Sequence, residues 1–122
     1  MTTPSDEAPM DLVSYTFVLL RRGPRAFDYD EETLSHLQAA HLSFLDDMRR
    51  RGNLLVAGPF EDQKDETLRG FCIYRTGLDE TRALVQDDPS VQAGRMAADV
   101  MAWLTHRGHV EFPHAEANRI QP

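Results

Sequence analysis

This 122-residue chain predicts an α+β fold of the split β-α-β type, a four-stranded antiparallel sheet with its helices on one face. Three observations predict it. The elements follow the order strand, helix, strand, strand, helix, and then one ambiguous segment that completes the pattern if it is a strand. One long helix carries a well-marked apolar stripe. The strands are apolar on both faces, which asks for a covering layer on each side.

The first strand is Tyr15-Thr16-Phe17-Val18-Leu19-Leu20, rich in β-formers. Gly23-Pro24 ends it, and the segment up to Tyr29 is loop. The clearest helix follows. Asp30 fits its N-cap, Glu31 and Glu32 suit the positive end of the dipole, and Tyr29 can staple onto Leu34. Arg49, Arg50 and Arg51 suit its C-terminus, and Gly52 supplies a left-handed cap. Leu54-Leu55-Val56-Ala57 is a second strand, stopped by Gly58-Pro59, and residues 61–67 form a charged turn. Phe71-Cys72-Ile73-Tyr74 is a third strand. Residues 79–86 form a short helix with Leu78, Thr81, Leu84 and Val85 inward. Asp88-Pro89 opens a helical turn, Asp88 at the cap and Pro89 at the first helical position.

Residues 96–104 read both ways. Their Ala, Met and Leu favour helix, yet Ala98, Val100, Ala102 and Leu104 alternate as in a strand. As a strand the segment completes a ferredoxin-like fold. The face opposite the helices would then need cover, and a homodimer packed sheet to sheet would supply it.

Length allows one core. Residues 1–12 read as a disordered leader, 13–112 as the domain and 113–122 as a flexible tail. A net charge of −7 argues against nucleic-acid binding, which needs cationic surface. The longest apolar run, from Phe17 to Leu20, is too short to span a bilayer, and residues 1–10 lack the basic and apolar regions of a signal peptide. The single cysteine, Cys72, cannot form an internal disulfide, so the expected location is cytoplasmic.

The most informative residue is His41. Leu34, Leu37, Phe44, Leu45 and Met48 fall within about 60° of it at 100° per residue, whereas His36 points to the polar face. A titratable ring aimed into a core is either satisfied there by hydrogen bonding or used there. Taken alone, Asp88 is a helix cap and Cys72 a small core residue. Arg95 is a candidate anion clamp, with Arg69 and Arg21 as lesser candidates that are better read as solvated surface residues. Gly58-Pro59 shapes a turn and can bring backbone close to a ligand. His106, His109 and His114 fit no zinc spacing, so no metal is expected. No phosphate loop or serine elbow is present.

The chain resembles the YCII-related family. The resemblance rests on His41-Leu42-Ser43-Phe44-Leu45, Gly52-Asn53-Leu54, Ala57-Gly58-Pro59, Arg69-Gly70, the run from Asp88-Pro89-Ser90 to Gly94-Arg95, and Val100 with Trp103. It implies a dimeric, ferredoxin-like α/β barrel in which residues 98–104 are a strand. It also implies a pocket lined by His41 and Asp88 as an acid–base pair. The chain differs from shorter members in its acidic leader, its longer loop over residues 21–29 and its histidine-bearing tail.

The resulting expectation is a cofactor-independent homodimer acting as a lyase or isomerase on a small anionic or phenolic substrate. His41 moves the proton, Asp88 orients it, and Arg95, Gly58 and Pro59 contact the substrate. The alternative is a non-catalytic dimer that binds a small metabolite in the same pocket.

Overall fold

The computed structural model describes residues 10–112, so most of the expected leader and all of the expected tail, His114 included, lie outside the described residues. Strands β1 (Leu12–Arg22), β2 (Leu54–Pro59), β3 (Leu68–Tyr74) and β4 (Met96–His106) form one sheet in the order β2-β3-β1-β4. Every neighbouring pair is antiparallel. Helix α1 (Glu31–Arg50) joins β1 to β2, and helices α2 (Leu78–Val85) and α3 (Pro89–Gln92) join β3 to β4. This is the ferredoxin-like α+β arrangement that the sequence predicts. Among the described residues no helix is long and apolar enough to cross a membrane.

The ambiguous segment is strand β4. It pairs with β1 along its whole length, from Leu12 opposite His106 to Arg22 opposite Met96. Helix propensities separate these residues by less than ~1 kcal/mol each, too little to resist an uninterrupted ladder. Met96, Ala98 and Val100 pack against the core, so the alternating pattern was the informative one.

Alternation along β1 sorts the two faces of the sheet. Val18 and Leu20 join Cys72, Tyr74, Leu54, Met48 and Val85 in the buried cluster beneath the helices. The other face carries Phe17 stacked on Phe71 at 5.2 Å and Tyr15 against Trp103 at 5.9 Å. Val56 and Met101, 40% and 41% exposed, stand on that face opposite Ile73 and Phe17 in the strand register, and no layer of this chain's described residues covers them.

The caps explain where α1 starts and stops. The Asp30 carboxylate accepts the Thr33 N–H at 2.8 Å, and the chain leaves the helix through Gly52 at φ 80°. The Tyr29 hydroxyl donates to the Ala93 carbonyl at 2.6 Å, which ties the entrance of α1 to the turn before β4.

Gly58-Pro59 does not stop β2. Both residues belong to it, Gly58 opposite Phe71 and Pro59 opposite Gly70. The reason is position: β2 is an edge strand, where a residue without an N–H costs no ladder bond. Gly70 permits the pairing, since a Cβ there would stand 2.5 Å from the Gly58 carbonyl oxygen.

Candidate functional site

His41 lies on the sheet-facing meridian of α1 and is 5% exposed. Its Nδ1 is 2.7 Å from Oδ2 of Asp88, which is 3% exposed. The other carboxylate oxygen, Oδ1, accepts the Ser90 N–H at 2.9 Å and so caps α3. One side chain therefore does both jobs. The cap fixes the carboxylate, and the carboxylate fixes the imidazole. With Asp88 ionised, Nδ1 carries the shared proton and Nε2 is the ring nitrogen left for other partners.

A cleft of about 490 Å³ opens between α1, the loop after β1 and the adjoining ends of β2 and β3, and His41 forms part of its wall. Asp88 lies outside the lining and reaches the cleft only through the ring. Apolar side chains such as Leu20, Leu34, Leu45 and Met96 make up much of the rest. This is the usual make-up of a small-molecule site: apolar walls with a few placed polar groups.

Arg95, Gly58 and Pro59 line the same cleft. Arg95 is half-buried, and its Nη1 donates to the Leu34 carbonyl at 3.2 Å and to Gln38 Oε1 at 3.1 Å. These bonds hold the guanidinium against the first half of α1 while leaving Nε and Nη2 with donors to spare. Arg21 is a surface residue as expected, paired with Asp99 at 2.7 Å. Arg69 is exposed but also borders the cleft, which the surface reading missed.

Sequence reasoning overlooked Arg22, Phe27 and Gln38, all of which line the cleft. A signal for Arg22 was available. Continuing the alternation of Thr16, Val18 and Leu20 places it on the helix face, although it sits beside Gly23-Pro24 and looks like loop. Phe27 offered no local signal, because only the fold of the loop brings it to the cleft mouth.

Cys72 also lines the cleft, yet burial pushes its thiol up to about 12, with the nearby Asp88 charge adding to the effect. Burial likewise raises the Tyr74 phenol, helped by Cys72 and Asp88. Both stay neutral near pH 7. Among the described residues no group of three or more His, Cys, Asp or Glu side chains is placed to hold a metal ion. The His106 and His109 rings meet at 5.0 Å, both on the exposed end of β4 and the turn after it.

The sequence pattern of the YCII-related domain matches residues 16–104. The chain belongs to the YCII-related family. Among solved structures this YCII-related protein is similar to 5-chloro-2-hydroxyhydroquinone dehydrochlorinase from Burkholderia phenoliruptrix, determined in complex with 2,5-dihydroxybenzoquinone. The likeness has a TM-score of 0.53 at 25% identity and covers 79% of this chain and 99% of that one. No curated protein matches the YCII-related chain.

Proposed function

We propose that this protein is a cofactor-independent acid–base enzyme that eliminates from, or isomerises, a small anionic or phenolic substrate. The observation that carries the reading is the 2.7 Å contact between buried His41 and Asp88 at the wall of a cleft built mostly from apolar residues. A buried carboxylate that orients a histidine and balances its charge after proton uptake is the arrangement of general-base catalysis. The structural neighbour is a dehydrochlorinase, which favours elimination.

In that reaction His41 Nε2 removes a proton from the substrate. The electron pair left behind forms a new π bond, and the leaving group departs from the neighbouring carbon with its bonding pair. In isomerisation the same proton returns to a different carbon. Arg95 holds the negative charge that develops on oxygen, using the donors not engaged by Leu34 and Gln38. Gly58 and Pro59 line the same cleft and offer backbone against which a flat ring fits.

The enzyme acts as a cytoplasmic homodimer in this reading. The uncovered apolar sheet face supports the dimer, and the unpaired, buried Cys72 suits a reducing compartment. The test is turnover of halogenated hydroquinones by the purified protein, followed as halide release, with and without His41→Gln. Wild-type turnover lost in the variant supports the reading. Equal turnover by both proteins rejects it, and ligand binding without any turnover favours a metabolite-binding dimer.

A further inference from the structure

We infer that the cleft mouth holds a second anion subsite, formed by Arg22 and Arg69 beside the ring of Phe27, which selects substrates carrying a carboxylate away from the reacting bond. The inference rests on the reading of the cleft as a substrate site, and it names a substrate class for that site.

Charge distribution is the first argument. The chain carries a net charge of −7, yet no aspartate or glutamate among the described residues lines the cleft, whereas Arg22, Arg69 and Arg95 do. Seven of the eight arginines elsewhere in the described residues, Arg75 being the exception, are each within 4.0 Å of a carboxylate. The three cleft arginines have no such carboxylate among the described residues. An acidic protein that leaves three guanidinium groups unpaired around one cavity is arranged for an anion from outside.

Local geometry is the second. Arg95 is committed in part to α1, but Arg69 makes only a long 3.4 Å bond to the Glu66 carbonyl. The Arg22 guanidinium lies 4.9 Å from the centroid of the Phe27 ring. Asp65, an acid within electrostatic range of Arg22, already accepts bonds from the N–H and hydroxyl of Thr67. The Arg22 N–H donates to the Thr67 carbonyl at 2.7 Å, so the ends of β1 and β3 that carry the two arginines are stitched together.

Phe27 is the third. It is 83% exposed in a loop that is otherwise anchored: the Gly23 N–H donates to the Arg95 carbonyl at 2.7 Å and the Arg25 N–H to the Gly94 carbonyl at 2.9 Å. A Cβ at Gly23 would collide with the Gly94 carbonyl, so the anchor depends on glycine. A large apolar ring held in water beside a cleft, with a guanidinium over it, is a platform for a ligand ring whose carboxylate meets the arginine.

The test is calorimetric binding of 4-hydroxybenzoate and of its neutral methyl ester to the full-length protein at low salt. The acid should bind at least tenfold more tightly than the ester, and Arg22→Met and Arg69→Met should each weaken the acid about tenfold while leaving the ester unchanged. Arg22→Lys should recover part of the loss, which separates charge from packing. Equal binding of acid and ester, no binding of the acid at about 10 mM, or unaltered affinity in both folded methionine variants would each overturn the subsite. A failed turnover test at His41 would reject the catalytic reading and leave the subsite to be judged by these affinities in the wild type and the arginine variants.

Discussion

Asp88 follows His41 by 47 residues in sequence and stands 2.7 Å from its ring in the fold. Two helices distant in sequence are thus joined through one side chain, whose two oxygens serve a cap and a ring separately. The substitutions at this pair separate those effects.

Replacing Asp88 by Asn keeps a good capping residue, because the Asn carbonyl can still accept the Ser90 N–H. The amide then presents N–H to His41 Nδ1 and reverses the tautomer, leaving a proton on Nε2. Nitrogen chemical shifts of the ring should report the reversal, and turnover should fall at least a hundredfold with little loss of stability. Asp88→Ala loses the cap as well, and urea unfolding should show a further cost of about 1 kcal/mol.

His41→Gln and His41→Leu should diverge. Glutamine can donate to Asp88 and should fold nearly as well as wild type while losing turnover. Leucine fits the apolar stripe but leaves a buried carboxylate with only the Ser90 N–H, and is expected to cost about 3 kcal/mol in urea titrations. If leucine is tolerated as well as glutamine, the carboxylate does not depend on the ring for a hydrogen-bond partner.

The sheet face opposite the helices should bury roughly 2,000 Å² in a homodimer. Met101→Glu, at a position 41% exposed on that face, should give a folded monomer by light scattering where the wild type gives twice the mass. A wild-type monomer at micromolar concentration would remove the dimer.

Cys72 sets an alkaline limit. Its thiol rises from an ordinary 9.0 to about 12 in the fold, chiefly by burial. The folded state therefore holds this proton more tightly than the unfolded chain. Its contribution to stability is intact below pH 9 and is lost as pH climbs from 9 toward 12. Unfolding free energy should fall over that window, and Cys72→Ala should flatten the slope, with buried Tyr74 supplying the remainder. At pH 8 the native thiol should react with a disulfide reagent far more slowly than the denatured one.

How much of this was legible in the sequence depends on distance along the chain. The caps of α1 and the inward aim of His41 follow from residues a few places apart, and the structure bears both out. From its own neighbours Asp88 announced itself only as a cap, and its pairing with His41 came from the family resemblance, because its second oxygen is engaged by a residue from another helix. The residues of β4 favour helix, and the ladder with β1 that overrides them is fully non-local. Gly58-Pro59 resembles a stop signal wherever it occurs. Only its place on a sheet edge turns it into strand. Arg22 and Phe27 escaped notice for a related reason, since the cleft that they border is assembled from five separate stretches of chain.

The pairing of β1 with β4 also constrains the order of events during synthesis. Strand β1 is made early and lies inside the sheet, but its neighbour on one side is the last strand of the fold. While the nascent chain grows, β1 can find β3 and α1 can settle over it, yet a row of backbone N–H and C=O groups stays open along the other edge until residue 106 has cleared the ribosome. Chains released after residue 95 are therefore expected to self-associate through that edge, with sedimentation of such fragments beside the full-length product as the check.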